Sequence, residues 1–495
     1  MNASNAEPAA TAGTRKTSAL HLKIREGLTV AVPPSLSAIS TYVLLEQEEW
    51  FEKEINLLRQ FLKPGMTAID IGANLGLYSL PMARLVGPDG RVFSYEPGSE
   101  ARAFLERSRE LNGFSNLDIV GAALSDNDRD GHLAFAGSTE LRALGDAGTG
   151  EPVRITSLDL ESAVRPWSAV DFIKIDAEGE EERIITGGRA LLATHSPLVM
   201  FEIKAGEKVN ERLRAIFPTI GYRVFRQLAG APILVPDDAT TPLDGYELNL
   251  FAAKPDRVNA LSQQGLLVDA LSGWIPGEAD RNHAVAFWQR QTFAALLDAS
   301  GAAGSSADAE YQDALTAYAI WRATDQPVAT RCAALAFALQ RIRLVCARAC
   351  TAERASTWAR IAWEWGARSE SVGALRQLMQ ILSAARLQLK EPFWPADARF
   401  DDVAPGDQPA AWLAAAAAER FERTFSFSSL FSGASPFLSW LCGQKFASAE
   451  MERRRTLIAA HAGQQPRVPE RLCVPAPDHL NADIWRAGLV PGTAV

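Results

Sequence analysis

Between residues 42 and 62 apolar side chains at Leu45, Trp50, Ile55, Leu58 and Leu62 recur near helical spacing, with carboxylates between them. Lys63-Pro64-Gly65 stops the run, so a single amphipathic helix is predicted over 41–64. The period then changes: short apolar runs alternate with amphipathic segments, the signature of a parallel sheet wrapped by helices. Strands are predicted at residues 67–71, 91–95, 117–120, 171–175, 197–203, 222–226 and 247–252, and helices at 77–86, 99–111, 180–192 and 207–217. Only a loop holding Pro232, Pro236 and Pro242 separates the last two strands, which allows an antiparallel pair at the sheet edge. Beyond Arg257 the strand signal vanishes, and Ala, Leu, Trp and Arg take over at helical periods.

The pattern divides the chain into a flexible leader (1–40), the amphipathic helix (41–64), an α/β domain (65–255), a helical domain (256–390) and a helical extension with an irregular tail (391–495). A chain of 495 residues exceeds one core, in keeping with this division. Ten of the 12 tryptophans lie beyond residue 270, on helical faces where core filling is the expected role. The leader lacks the apolar stretch of a secretory signal, and no run is long enough to span a bilayer, so a cytoplasmic location is expected.

Charge removes some partners. A formal net charge of -9 and a pI of about 5.4 repel phosphate backbones, so nucleic acid is not expected. Arg453-Arg454-Arg455 reads as a solvated helix face. The five cysteines carry no paired CxxC spacing, and neither a disulfide framework nor a metal site is expected.

The chemistry concentrates where strands end. Ile69-Asp70-Ile71-Gly72-Ala73-Asn74-Leu75-Gly76 delivers an acid into a glycine loop that opens a helix, the place where doubly wound sheets bind ligands. The spacing is Gly-x-x-x-Gly rather than the GxGxxG of dinucleotide sites, and a carboxylate at its mouth suits a cationic ligand better than a pyrophosphate. Glu96, in Tyr95-Glu96-Pro97 at the next strand end, can accept from two ribose hydroxyls. Asp171-Phe172-Ile173-Lys174-Ile175-Asp176-Ala177-Glu178-Gly179 brings two further carboxylates to the same edge. Lys174, inside so apolar a strand, needs a carboxylate partner, with Asp176, Glu178 or Glu202 as candidates. Such a cluster can also be architectural. Pro81 falls in the helix after the loop, which must start late or kink.

Taken together, these motifs, with Leu158-Asp159 between them, resemble the FkbM family of methyltransferases. The resemblance implies a Rossmann-like, seven-stranded methyltransferase fold and methyl transfer from S-adenosyl-L-methionine, usually to a hydroxyl of a sugar, glycan or small natural product. It further implies cofactor-binding roles for Asp70, Gly72, Asn74, Gly76, Tyr78 and Glu96, for Asp126 near the adenine, and for Asp176, with Glu178 close by. Asp176 or Glu178 is the expected base, provided partial desolvation raises its pKa toward neutral.

Two rival enzyme classes fit less well: a nucleic-acid methyltransferase would carry an Asn/Asp-Pro-Pro-aromatic motif where Asp176-Ala177-Glu178-Gly179 stands, and a dehydrogenase would bind nicotinamide cofactors. The other alternative is a scaffold whose helical half recognises a protein partner or self-associates while the α/β domain binds S-adenosylmethionine without turnover. Trp358, Ile361, Ala362, Trp365, Ala374, Leu378 and Ile381 fall at the spacing of one tetratricopeptide-like helix pair, without a second copy.

Overall fold

The computed structural model describes residues 19–138, 141–145, 150–165, 167–205, 208–298, 308–384 and 388–488. At its centre is one mixed sheet built from Thr67–Ile71 (β1), Arg91–Tyr95 (β2), Leu117–Val120 (β3), Phe172–Ile175 (β4), Leu198–Glu202 (β5), Arg223–Gln227 (β6), Leu234–Pro236 (β7) and Asn249–Ala253 (β8). Its order is β7-β6-β8-β5-β4-β1-β2-β3. From β3 to β5 the strands are parallel, and β8 inserts antiparallel between β5 and β6. All seven expected strands are present. The eighth, β7, lies in the stretch read as a proline loop, where Leu234 and Val235 are fully buried against β6.

Central strands buried on both faces need apolar residues at every position, and period two then sorts them. Ala68, Phe172, Leu198 and Met200 join one hydrophobic layer; Ile69, Ile71, Ile173, Ile175, Val199 and Phe201 join the other. The chain runs β1-β2-β3 to one side and returns to β4 on the other, so the sheet's topological switch point lies between β1 and β4.

Three local expectations are corrected. Residues 1–18 of the expected leader lie outside the described residues, but Leu20–Ile24 and Leu28–Val32 form an antiparallel hairpin. It is pinned to the helix Ser99–Asn112 by Ala31 N–H donating to Ser108 Oγ (2.9 Å) and Thr29 N–H to Asn112 Oδ1 (3.0 Å). The helix expected over 41–64 is two helices, Ile39–Gln47 and Ile55–Phe61. The break begins at Glu48 (φ 58°), whose carboxylate accepts from Leu480 and Asn481 N–H near the other end of the chain. A second, four-stranded sheet (Ala122–Leu124, Glu151–Thr156, Arg129–Ser138 and Leu141–Gly145) fills the span between β3 and β4, where no strands were expected. Pro81 causes no kink, because the helix Ser79–Val86 starts late enough to place it in the first turn.

The C-terminal region is helical. Its longest members are Ala309–Arg322, Val328–Arg348, Ala352–Trp365, Arg368–Ala384, Pro409–Thr424 and Ala449–His461. Ala352–Trp365 and Arg368–Ala384 form the helix pair noted above. Trp321, Trp394 and Trp412 are sealed in one hydrophobic cluster, in keeping with core filling. Phe393 and Trp394, between Pro392 and Pro395, belong to that cluster with helices from both sides of them. Among the described residues no helix is long and apolar enough to cross a membrane.

Arg453 and Arg454 are not a solvated face. They are 3% and 1% exposed and turn inward, Arg454 to Glu46 (3.2 Å) and Arg453 to Glu48 (3.6 Å). Buried ion pairs thus join the last long helix to the first one.

Candidate active site

A cavity of about 460 Å³ opens at the carboxyl ends of β1, β2, β4 and β5. The chain after β1 supplies Gly72 and Asn74, the chain after β2 supplies Glu96 and Pro97, and the chain after β4 supplies Asp176, Ala177 and Glu178. Glu202 closes β5 and Lys204 follows it. Trp50, Phe51 and Glu52 enter from the break between the two N-terminal helices, and Phe427 and Phe431 from the helical region.

Gly72 is required by contact and by conformation. Its φ is +75°, and a Cβ there would lie 1.8 Å from the Asp176 carbonyl oxygen, so the loops after β1 and β4 touch backbone to backbone. The loop is braced by Gly72 and Ala73 N–H donating to Tyr95 O (3.0 and 3.1 Å). Asn74 takes a left-handed φ of 48°, which aims its N–H at Glu96 Oε2 (2.8 Å), while Gly98 N–H donates to Glu96 Oε1 (2.7 Å). The Glu96 carboxylate is therefore fixed by backbone donors. Asn74 Oδ1 is buried without a hydrogen-bond partner.

Behind the wall lies a charged row set by strand register, which places Lys174 beside Asp70 and Asp70 beside Ser94. Lys174, 3% exposed, reaches Asp176 Oδ2 at 2.7 Å and Asp70 Oδ1 at 4.0 Å, and lies over the Tyr78 ring at 5.1 Å. Burial alone would deprotonate it, but Asp176, Asp70 and Glu52 hold its pKa above the ordinary value. Burial pulls Asp176 up, yet the Lys174 charge and hydrogen bonds from Glu202 and Lys174 outweigh it, leaving Asp176 below the usual carboxylate range. Glu202 is the reverse: burial, the Asp176 charge and their shared hydrogen bond push it to about 11. Asp176 is thus the ionised and Glu202 the protonated member of one pair. Glu178, partly buried, is raised to about 7 by burial first and then by the charges of Asp176 and Glu181. Its backbone sits at φ 50°, braced where Glu181 Oε1 accepts from Ala177 and Gly179 N–H (3.0 and 3.1 Å).

The sequence-derived residues therefore separate. Gly72, Asn74, Glu96, Asp176 and Glu178 meet on one cavity. Asp70 does not stand at its mouth: it is fully buried beneath the loop, accepting from Ser79 Oγ at 2.5 Å, because period two turns it inward with Lys174. Gly76 faces away, where a Cβ would come within 2.3 Å of Leu105. Tyr78 is buried, its hydroxyl donating to Glu52 Oε2 (2.7 Å). Asp126 lies outside the cavity, exposed and paired with Arg129 (2.9 Å). That end of the cavity is walled instead by Ala101, Ala122, Leu124, Leu133 and Leu144.

Glu52 was hidden in what read as the polar face of a helix. Its carboxylate accepts from Trp50 Nε1 (2.7 Å) and Asn249 Nδ2 (2.8 Å) besides Tyr78, and burial raises its pKa despite Lys174.

A mixed sheet of this order, with its loops and acids at the switch point, is a Rossmann-like architecture. The family model described as methyltransferase FkbM domain matches residues 70–224. Similar solved structures include a methyltransferase FkbM from Methylobacillus flagellatus KT (16% identity over 38% of this chain and 43% of that one, TM-score 0.27). A SAM-dependent methyltransferase from Aquifex aeolicus has 16% identity over 45% and 98% of the two chains (TM-score 0.27). A SAM-dependent O-methyltransferase from Thermotoga maritima has 18% identity over 41% and 64% (TM-score 0.25). The chain thus covers less than half the length of the Methylobacillus protein. No curated protein matches the sequence.

Proposed function

We propose that this protein is an S-adenosylmethionine-dependent methyltransferase that methylates a hydroxyl oxygen of a small molecule or glycan. The observation that carries the reading is the pairing, across one cavity, of Glu96 fixed by the glycine loop's own N–H groups with Glu178 held near neutrality.

The cavity's residues fit the cofactor. Its volume lies within the roughly 300–1,000 Å³ of small-molecule sites. Glu96 offers acceptors to ribose hydroxyls, the apolar wall around Leu124, Leu133 and Leu144 suits a purine, and Asn74 Oδ1 is a buried acceptor in need of a donor. Gly72 admits close backbone approach. Ionised Asp176 favours a cation and disfavours a pyrophosphate, which separates this site from dinucleotide sites. When bound, S-adenosylmethionine supplies an electrophilic methyl carbon on a positively charged sulfur.

The remaining work falls to the chain. Glu178, of the two acids expected as base, has the pKa suited to accepting the proton that an acceptor hydroxyl sheds near pH 7. Asp176 is already committed to Lys174 and Glu202, so it holds charge and orientation rather than moving a proton. Protonated Glu202 gives its one O–H to Asp176, which keeps that pair in place beside Glu178. Holding the hydroxyl in line with the methyl group is the task left to the cavity wall.

The test is incubation of the full chain with methyl-labelled S-adenosylmethionine and a panel of alcohols, glycosides and glycans, followed by mass spectrometry. Label on an acceptor oxygen, lost in Glu178→Gln, is expected. Label on nitrogen or carbon, or no S-adenosylhomocysteine release above a protein-free control, would overturn the reading.

A further inference from the structure

The helical region completes the cavity, and it does so with a fixed aromatic wall. Phe427 follows the helix Pro409–Thr424 and lines the cavity. Its backbone carbonyl accepts from Gln47 Nε2 at 2.7 Å, its ring packs on Phe51 (centroids 5.1 Å apart) and Tyr246 (5.9 Å), and the Arg368 guanidinium lies 4.3 Å from its centroid. The neighbouring Phe425 carbonyl accepts from the Tyr246 hydroxyl (2.9 Å). Two residues beyond Phe427, Ser429 N–H and Oγ both donate to Glu46, the carboxylate that Arg454 neutralises. This loop is therefore docked on the N-terminal helix Ile39–Gln47 by polar contacts, and on the α/β domain through Tyr246. Phe431, 52% exposed, continues the aromatic wall to the cavity rim.

Phe51 and Phe427 also line a second cavity of about 130 Å³, so the two rings form a partition that limits the length of the first. Glu52, Asp176, Glu178 and Glu202 also line the cavity, and among the described residues Lys204 is the one cation on its lining, its ammonium already bonded to the Gly245 carbonyl. An anionic acceptor would meet the Asp176 carboxylate and, above about pH 7, that of Glu178. An uncharged polyol with an apolar face would meet rings for that face and carboxyl oxygens for its hydroxyls.

Resting on the methyltransferase reading above, we propose that Phe427 and Phe431 are specificity-determining residues, and that the wall they form selects uncharged hydroxyl compounds bearing an apolar face and rejects acids.

The probes are phenyl β-D-glucopyranoside and its C6 acid, phenyl β-D-glucuronide, titrated by saturation-transfer NMR into the full chain saturated with S-adenosylhomocysteine. The glucoside is expected to bind, and the glucuronide to bind at least about tenfold more weakly, the like-charge penalty. Phe431→Ala, at an exposed position that the fold tolerates, and Phe427→Leu, which keeps the position apolar, should each weaken the glucoside about three- to tenfold, with S-adenosylhomocysteine affinity unchanged. Glucoside binding equal in wild type and variants, no glucoside binding to the saturated protein, or equal binding of the acid would overturn the proposal. Failure to bind S-adenosylhomocysteine at all would instead overturn the methyltransferase reading on which it rests.

Discussion

Lys174→Met removes the one ammonium that compensates the buried acids behind the cavity. Lys174 is 3% exposed, 2.7 Å from Asp176 and 4.0 Å from Asp70, which is itself fully buried with Oδ1 unpartnered. Methionine fills a similar volume, so the cost is electrostatic rather than a void. Breaking a buried pair from one side costs about 3–5 kcal/mol. At about 2–4 °C per kcal/mol for a domain of this size, the melting temperature should fall by roughly 6–20 °C. The sign follows from the titrations. Lys174 has its folded pKa raised, so its contribution is fully present below the ordinary lysine pKa of 10.5 and is lost only as pH rises through the higher folded value. Asp176 is lowered, so its contribution is present above the ordinary aspartate value and fades only in acid. At pH 7.5 both are in force. The variant's deficit should therefore shrink toward pH 5, where Asp70, freed of Lys174, can take up a proton, and Asp70→Asn/Lys174→Met should recover part of the loss. The assay is differential scanning calorimetry from pH 5 to 8. A deficit under about 1 kcal/mol at pH 7.5 would refute the compensating role.

Other substitutions test other parts of the site. Gly72→Ala places a Cβ against the Asp176 carbonyl at a positive φ, and should cost about 1–3 kcal/mol of stability and more than tenfold in S-adenosylhomocysteine affinity; calorimetric binding unchanged from wild type would contradict the close contact. Arg454→Met leaves Glu46 buried and should lose about 3–5 kcal/mol, whereas Glu46→Leu/Arg454→Met should regain most of it, read by thermal melting. In an active preparation kcat/KM should rise with pH through about 7 as Glu178 loses its proton, and Glu178→Gln should lose that limb along with most of the rate; a profile unchanged in the variant would assign the base elsewhere.

The strands around the switch point were legible because burial on both faces demands dense apolar runs, and their ends fix which residues meet. Hence Gly72, Asn74, Glu96, Asp176 and Glu178 could be named before any coordinates. Asp70 was misplaced by one step of alternation: Ile71 still belongs to β1, so Asp70 points into the helical layer beside Lys174 rather than at the loop. The interruption at Glu48 depends on Leu480 and Asn481, more than four hundred residues away, and no local period encodes it. Glu52 reaches the cavity only because of that interruption. Phe427 and the inward turn of Arg453 and Arg454 likewise depend on how the helical region docks. No apolar run marks the four-stranded sheet: Arg129–Ser138 opens on Asp130, Gly131 and His132, and the short strand Ala122–Leu124 pairs with the distant Glu151–Thr156.

Isothermal titration of the full chain with S-adenosylhomocysteine, beside Glu96→Gln, tests the cofactor site most directly. One site per chain is expected, weakened about ten- to a hundredfold in the variant, the worth of charge-assisted hydrogen bonds. No heat with the wild-type protein, or equal affinity in Glu96→Gln, would contradict it.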